Sequence, residues 1–313
     1  MKIIFFGSSH FALPALEGLI KNKHKILYVV TQPDRKKGRH LHLGVTDVKA
    51  LARAAKLKVF QPENVNTAKS IELLKSLNAD LFVIVAYGQI LSPEVLGIPK
   101  VFPLNIHASL LPKYRGAAPI NWALIKGEKS SGVTIIKVTE KVDAGPVILQ
   151  KEISILDSDD AISLEAKLRD LGADLLLQAI PLIKSRDYKL KEQDEKRVTF
   201  ALKLKKSDGL IDWNKPAQQI LNLIRGVVPW PGAFTHYNRK LLKIYKAKVS
   251  NWPAARLSGY SAGQVLNVAK DGIAVNTGKD ILLVQALQIE GKRRMSAEEF
   301  ISGYKIFRGD QFT

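Results

Sequence analysis

Short apolar runs alternate with amphipathic stretches along the first half of the chain. The runs at 2–6, 25–31 and 80–88 are apolar almost throughout, which predicts strands without a solvated face. Between them, apolar residues recur at helical spacing over 11–20 and 67–77. Strands that alternate with helices in this way predict an α/β class domain, with a Rossmann-like, open and mostly parallel sheet covered on both faces.

The second half of the chain has a different pattern. A long amphipathic stretch, 164–184, predicts the last helix of the first domain, and a polar, charged segment follows it. Short β-like runs then recur about every 10 residues with Gly, Asn and Asp turns, which predicts a small OB-like β-barrel. The expected domains are therefore 1–189, a linker at 190–206, and 207–313.

Charge is the compositional feature that changes this picture most. The 313 residues include 48 Lys and Arg against 29 Asp and Glu, a net charge of +19. Fifteen basic and eight acidic residues follow position 206, so the positive excess extends over both predicted domains. Such a field attracts polyanions, nucleic acid above all, although a general lysine bias would give the same composition.

Cysteine usage and the N-terminus limit the compartment and the chemistry. The chain has no cysteine, which excludes disulfides, a thiolate nucleophile and Cys-type zinc sites. Polar residues at 7–10 interrupt the apolar N-terminus, and no apolar run approaches the ~18 residues of a membrane span. We expect a cytoplasmic protein with no membrane association.

The segment 101–113 carries the clearest candidate site. Alternation along a strand places Leu104 and Ile106 on one face and Asn105 and His107 on the other. Both polar side chains then emerge near the carboxyl end of a strand, where open α/β sheets bind ligands. The Pro- and Gly-containing loop that follows is suited to wrapping a substrate.

An amide and an imidazole aimed at one point can stabilise an oxyanion and move protons. The chain has no cysteine and no G-x-S-x-G motif, so direct attack by a substrate amine is the simpler route for acyl transfer. Asp143, in a glycine-containing turn, is the best candidate to orient the histidine. Taken singly, His107 and Asn105 would be ordinary strand and turn residues; together they favour acyl or proton transfer.

These residues belong to motifs with a recognisable family pattern. The segments are "VVTQPDR" with "KGR" after it, "VIVAYG", "NIHASLLPKYRGAAPI", "GVTIIKV…VDAG" and "VPWPGAF". Across nearly its whole length the chain resembles the folate-dependent formyltransferases. The "TQPDR" insertion and the C-terminal domain resemble the tRNA-directed branch of that family.

The resemblance implies a reaction, in which 10-formyltetrahydrofolate formylates the α-amine of initiator methionyl-tRNA. It implies that Asn105 and His107 stabilise the oxyanion, and that Asp143 sets the state of His107. It also implies a small-molecule folate as co-substrate. His40 and His42 could suggest a metal, but no carboxylate cluster accompanies them, so we expect none, and we expect a monomer. The folate pocket it implies consists of Val85, Ala86, Tyr87, Gly88, Ser109, Leu110, Leu111 and Pro112.

The resemblance further implies two groups of tRNA-binding residues. One lies in the insertion and comprises Arg35, Lys36, Lys37 and Arg39; the sequence departs from the family pattern at 40–43, where His-Leu-His-Leu stands in place of glycine and lysines. The other comprises Lys240, Lys246 and Lys248, which alternation would place on the same side of a strand as Leu242 and Ile244. Trp230, between two prolines, is predicted to be a core residue rather than a base-stacking one.

Two other functions remain open at this point. A formyltetrahydrofolate-dependent enzyme acting on an amino sugar would share the catalytic motif, but would need neither the insertion nor the basic C-terminal domain. A non-catalytic RNA-binding protein on the same scaffold would not need an intact set of Asn105, His107 and Asp143.

Overall fold

The computed structural model describes residues 1–37, 42–250 and 259–313. Its contacts divide the chain into two compact units. The first comprises Met1–Pro119, Ser130–Ser154 and Glu165–Ala201, and the second comprises Ile120–Lys129, Ile155–Leu164 and Leu202–Thr313. The domain boundaries predicted from the sequence stay a prediction. None of the helices in the described ranges is both long and apolar enough to cross a membrane.

The first unit is built on a seven-stranded sheet. Its strands and the two short ladders beside it are β1 (Lys2–Gly7), β2 (Lys25–Val30), β3 (Arg35–Lys37), β4 (His42–Gly44), β5 (Val59–Phe60), β6 (Leu81–Val85), β7 (Phe102–His107), β8 (Arg115–Gly116), β9 (Ser130–Lys137), β10 (Val147–Ser154) and β11 (Phe200–Ala201). The helices that precede residue 202 are α1 (Leu13–Lys21), α2 (Asp47–Ala54), α3 (Ala68–Ser76), α4 (Pro93–Leu96), α5 (Pro119–Ile125) and α6 (Ala161–Ser185).

The strand order is β10-β9-β7-β6-β1-β2-β5, and β7, β6, β1, β2 and β5 run parallel. Only β9 and β10 are antiparallel to their neighbours. Residues 3–6 of β1 are fully buried, as expected for a strand with helices on both sides. The Rossmann-like, mostly parallel sheet predicted from the apolar runs is therefore confirmed.

The carboxyl ends of β1, β6 and β7 meet at one edge of this sheet, because the three strands are neighbours and parallel. They end at Gly7, Val85 and His107. Two of the motif segments quoted above, "VIVAYG" and "NIHASLLPKYRGAAPI", extend from the ends of β6 and β7. A crevice at this edge is the usual ligand site of an open α/β sheet.

The two ends of the insertion after β2 are joined by hydrogen bonds among Asp34, Lys49 and Gln61, which we call the anchor. The Asp34 carboxylate accepts hydrogen bonds from the ammonium group of Lys49 and from Gln61, and Lys49 itself is buried. The hydroxyls of Thr31 and Thr46 lie 2.8 Å apart beside this anchor. From it, β3 and β4 extend as an antiparallel ladder.

The second unit is an antiparallel β-domain. Its elements are α7 (Ala217–Gly226), β12 (Ala233–Tyr237), β13 (Lys240–Ser250), β14 (Val265–Ala269), β15 (Gly272–Asn276), β16 (Ile281–Ile289), β17 (Met295–Ser296) and α8 (Ala297–Gly303). The order β12-β13-β16-β15-β14, with β17 on β16, gives a six-stranded sheet that packs on a large apolar cluster. The small β-domain predicted after the polar segment is confirmed.

The C-terminal residues connect the two edge strands of this sheet. Val265, at the start of β14, donates to the carbonyl of Asp310 and accepts from Gly309. His236 of β12 exchanges two main-chain hydrogen bonds with Thr313. Phe312, between these contacts, is 1% exposed and packs on the rings of Trp213 and Tyr237. The tail therefore closes the sheet towards a barrel.

Two predictions made for this unit are wrong. The register of β13 shifts between Ile244 and Ala247, so Ile244 and Ala247 both pack on the core while Lys246 and Lys248 are exposed. The bulge reverses the alternation, which is why Lys246 does not share the face of Ile244. Trp230, predicted to be core, is 55% exposed.

Candidate active site

Asn105 and His107 lie on β7, as the alternation predicts. Leu104 and Ile106 pack into the core, with 0% and 4% exposure. The opposite face carries the two polar side chains, and His107 is also buried, at 5%. Strand β9 pairs with β7 beside them, with Thr134 opposite His107.

Asp143 lies in the turn between β9 and β10, and this turn brings its carboxylate to the polar face of β7. Its Oδ2 atom is 3.5 Å from Nδ1 of His107, and its Oδ1 atom accepts from Nδ2 of Asn105 at 3.4 Å. The main-chain N–H of Gly116 donates to Oδ2 at 2.9 Å. The three residues singled out from the sequence therefore lie together in the first unit.

The two ring nitrogens of His107 each contact a hydrogen-bond acceptor. Nε2 lies 2.9 Å from the carbonyl oxygen of Tyr114, which can only accept, so Nε2 carries a proton. Nδ1 faces the carboxylate of Asp143 on the other side of the ring. Tyr114 and Asp143 together fix the orientation of the ring, because each ring nitrogen faces an acceptor.

Backbone geometry explains two glycines of the motifs. Asp143 adopts a left-handed conformation, with φ of 51°, which Asp and Asn tolerate better than most residues. A Cβ on Gly145 would lie 1.8 Å from the carbonyl oxygen of Lys137, so only glycine lets the turn close on β9. Gly116 has φ of 123°, and a Cβ there would lie 2.6 Å from the carbonyl oxygen of Ala201.

Residues 85–88, at the end of β6 and just after it, alternate between buried and exposed positions. Ala86 and Gly88 are exposed, with left-handed φ values of 46° and 90°. Tyr87 between them is buried, its ring packs on Phe6, and burial raises the pKa of its phenol above the ordinary value. The carbonyl of Tyr87 accepts from Ser8 Oγ. Val85 is fully buried at the strand end.

The turn after β7 is held by two polar residues that the sequence analysis missed. Thr134 Oγ1 donates to the carbonyl of Ser109 and accepts from the N–H of Leu111. The Gln150 amide donates to the carbonyl of Leu111 and to Thr134. Thr134 is a fully buried polar residue within the apolar run of β9, and that contrast was the available signal. Leu110 and Pro112 are half-buried.

The predicted tRNA-binding residues are exposed where the structure describes them. Arg35 has a side chain 68% exposed, with a contact to Glu63 at 4.0 Å. Arg39 lies outside the described residues, as do the side chains of Lys36 and Lys37. In the second unit, Lys240, Lys246 and Lys248 are exposed. In the described part of the chain, no three His, Asp or Glu side chains form a group that could hold a metal ion.

Two family models match the chain. The model described as "Formyl transferase" matches residues 1–180, and "Formyl transferase, C-terminal domain" matches residues 203–305. The first covers the whole candidate site, from the end of β1 to the turn that contains Asp143.

Similar proteins extend over the full length. The chain is 46% identical to a methionyl-tRNA formyltransferase of Thermodesulfovibrio yellowstonii, over 99% of both chains. It is 41% identical to one of Clostridioides difficile, again over 99% of both. Among solved structures, the N-formyltransferase of Helicobacter canadensis, in complex with folinic acid and dTDP-3-aminofucose, aligns with a TM-score of 0.68 at 22% identity, covering 91% of this chain and 99% of that one. This last likeness concerns the fold.

Proposed function

The chain belongs to the formyl transferase family, as one of its methionyl-tRNA formyltransferases, and we propose that Asn105, His107 and Asp143 perform its chemistry. The reaction transfers the formyl group of 10-formyltetrahydrofolate to the α-amine of initiator methionyl-tRNA. The observation that carries the proposal is the contact of one carboxylate, Asp143, with both Asn105 and His107 at the end of β7.

The proposed chemistry is direct attack by the neutral amine. The amine nitrogen bonds to the formyl carbon, and the formyl oxygen becomes an oxyanion facing Asn105 Nδ2 and an N–H of His107. The bond from the formyl carbon to N10 of the folate then breaks. N10 gains a proton as the attacking nitrogen loses one, and the Asp143–His107 pair is placed to relay it.

Asn105 and His107 must turn N–H groups from their present partners towards the oxyanion. The contacts with Asp143, at 3.4 and 3.5 Å, are longer than the 2.9 Å bond from His107 Nε2 to Tyr114. Long contacts of this kind are common before substrate binds, and they are the easier ones to exchange.

We place the folate between the two segments that follow β6 and β7. The exposed main chain of Ala86 and Gly88 can hydrogen-bond a pterin-like heterocycle, with Val85 and Tyr87 as its buried support. Leu110 and Pro112 supply apolar contact. The remaining predicted members, Ser109 and Leu111, act through the turn that Thr134 and Gln150 hold.

For the tRNA we propose two basic regions, one in each unit. The first region comprises Arg35, Lys36 and Lys37 of β3, with Arg39 two residues further along the sequence, and its charge suits the acceptor-stem backbone. Lys246 and Lys248, with Lys240 at the start of β13, would bind tRNA phosphates on the second unit. The cytoplasmic location and the monomeric state remain part of the proposal.

One assay tests the function. The protein is incubated with 10-formyltetrahydrofolate and, in separate arms, with methionyl initiator tRNA, charged elongator tRNA or an amino sugar nucleotide. Rapid formylation of initiator methionyl-tRNA alone is expected. Preferred formylation of the sugar would replace the proposal by a sugar formyltransferase, and tRNA binding without any transfer would replace it by an RNA-binding role.

A further inference from the structure

The turn that contains Asp143 is held from a distant part of the chain. Asp143 is a non-glycine residue in left-handed backbone, a conformation that persists only when its surroundings fix it. The side-chain amide of Gln193 donates to the carbonyl oxygens of Asp143 and Gly145, both at 2.8 Å. These two bonds clamp the turn on both sides of Ala144.

Gln193 is itself oriented by a buried arginine. Its Oε1 atom accepts from Nε and Nη2 of Arg115, at 3.0 and 2.9 Å. Arginine has only donors and a carbonyl has only acceptors, so the amide can take only this orientation. Arg115 is 2% exposed, and its Nη2 atom also donates to Glu195 at 2.8 Å. Hydrogen bonds from Arg115 and Lys141 hold the pKa of Glu195 below its usual range.

The same arginine belongs to the loop that binds the Asp143 carboxylate. The next residue, Gly116, donates its N–H to Oδ2 of Asp143. The segment around Gln193 is paired with this loop, because Arg115 donates its N–H to Thr199 and β11 pairs with β8. Gln193 therefore joins the main chain of the turn to the loop that holds its carboxylate.

We propose that Gln193 is a positioning residue for Asp143, an inference that rests on the proposed function. It lies between the two ranges that the family models match, 1–180 and 203–305, in the stretch predicted to be a linker. By fixing the main chain of residues 143–145, it fixes where the Asp143 carboxylate meets His107 and Asn105. The segment 190–201 is in this sense part of the catalytic unit.

The decisive variant is Gln193→Glu. A glutamate keeps the size of the side chain and both acceptor contacts to Arg115, but cannot donate to the carbonyls of Asp143 and Gly145. We expect the single-turnover rate and kcat to fall about 10-fold or more, since sub-ångström displacement of a reacting group has effects of this order. The KM values for both substrates should stay within about 2-fold, because the Gln193 amide is already used by Arg115 and by the carbonyls of Asp143 and Gly145.

Two further variants separate positioning from charge and from general damage. Gln193→Met removes the amide without adding charge, and should be as slow as Gln193→Glu. Glu192→Gln changes charge at the neighbouring exposed position and should leave the rate unchanged. Thermal unfolding of each variant, compared with the wild type, reports on damage to the fold.

Introducing Gln193→Glu into the Asp143→Asn variant distinguishes positioning of Asp143 from a purely structural role. Asparagine tolerates the same left-handed backbone, so the turn is retained while the carboxylate is lost. If Gln193 acts through Asp143, adding Gln193→Glu to Asp143→Asn slows transfer no further. The positioning role is overturned if Gln193→Glu, or a folded Gln193→Met, has the kcat of the wild type. It is also overturned if Gln193→Glu slows transfer as much in the Asp143→Asn variant as it does in the wild type. An inactive wild type, or a fully active Asp143→Asn, would instead overturn the proposed function.

Discussion

The carboxylate of Asp143 lies 3.5 Å from Nδ1 of His107, although the two residues come from different strand ends. On the other side of the ring, Nε2 donates to the carbonyl of Tyr114. The imidazole is thus held between two acceptors in a site where only 6% of its side chain is exposed. These two contacts fix the orientation of the ring in the site proposed for catalysis.

Loss of either partner should slow the chemical step. We expect His107→Ala and Asp143→Asn each to lower kcat by on the order of 10²-fold, as the loss of one oxyanion donor or its orienting charge does elsewhere. Formyl transfer measured under single-turnover conditions checks this. Glu140→Gln removes an exposed carboxylate from the same turn and serves as the control. Near-normal turnover by either variant would contradict the catalytic assignment.

The pH dependence should follow the substrate amine. An α-amino group titrates at roughly 7.7–8.0, and only its neutral form can attack the formyl carbon. With chemistry rate-limiting, the transfer rate should rise from pH 6 towards pH 8 and then level off. A flat profile over this range would count against direct amine attack.

The exposed lysines of β13 should contribute to tRNA affinity through phosphates. Because Lys246 and Lys248 lie beyond the bulge and face solvent, replacing each by Ala should weaken tRNA binding and reduce the salt slope of log K by about 1. The slope is obtained from tRNA affinities measured between 50 and 200 mM salt, a range over which affinity should change by ~10-fold or more. Lys270→Ala, a lysine paired with Glu298 in another turn, is the matched control. An unchanged slope in both β13 variants would exclude Lys246 and Lys248 from the tRNA surface.

The anchor of the insertion should be acid-sensitive. Hydrogen bonds from Lys49 and Gln61 lower the pKa of Asp34, so its contribution to stability is complete above the unfolded-state pKa of about 3.9 and is lost as pH falls through the lower folded-state pKa. We expect the urea midpoint of the wild type to exceed that of Asp34→Asn at pH 6, and the difference to shrink below pH 4. If the difference between the two urea midpoints stays constant as pH falls, the ionised Asp34 carboxylate does not stabilise the fold through its contact with Lys49.

We expect the C-terminal tail to stabilise the second unit mainly through the side chain of Phe312. Phe312 is 1% exposed between Trp213 and Tyr237, so Phe312→Ala should cost about 3–5 kcal/mol of unfolding free energy. Phe307→Ala makes the same change at a position 62% exposed, five residues earlier, and should cost little. Urea or thermal unfolding of the two variants measures the contrast; equal effects would show that the tail does not support the sheet.

Local pattern was sufficient for the regular elements of the first unit. Apolar runs and helical spacing predict the strands β1, β2 and β6 and the helices between them. Both patterns can be recognised from neighbouring residues, because an uninterrupted apolar run indicates a strand buried on both faces and a 3.6-residue repeat indicates a helix. The short helices α4, α5 and α8 were not predicted, since a helix of 4 or 7 residues leaves too few repeats to detect. The bulge in β13 was invisible for a related reason: it depends on pairing with β16.

The candidate site shows the same division. Alternation along a strand by itself placed Asn105 and His107 side by side, and the glycine-containing turn marked Asp143. Only the tertiary structure decided that a glutamine from the supposed linker clamps that turn, that Arg115 is buried behind it, and that Thr134 and Gln150 hold the neighbouring loop. Side-chain periodicity is a property of consecutive residues, whereas hydrogen bonds between residues such as Arg115 and Gln193 exist only once the chain has brought distant segments together.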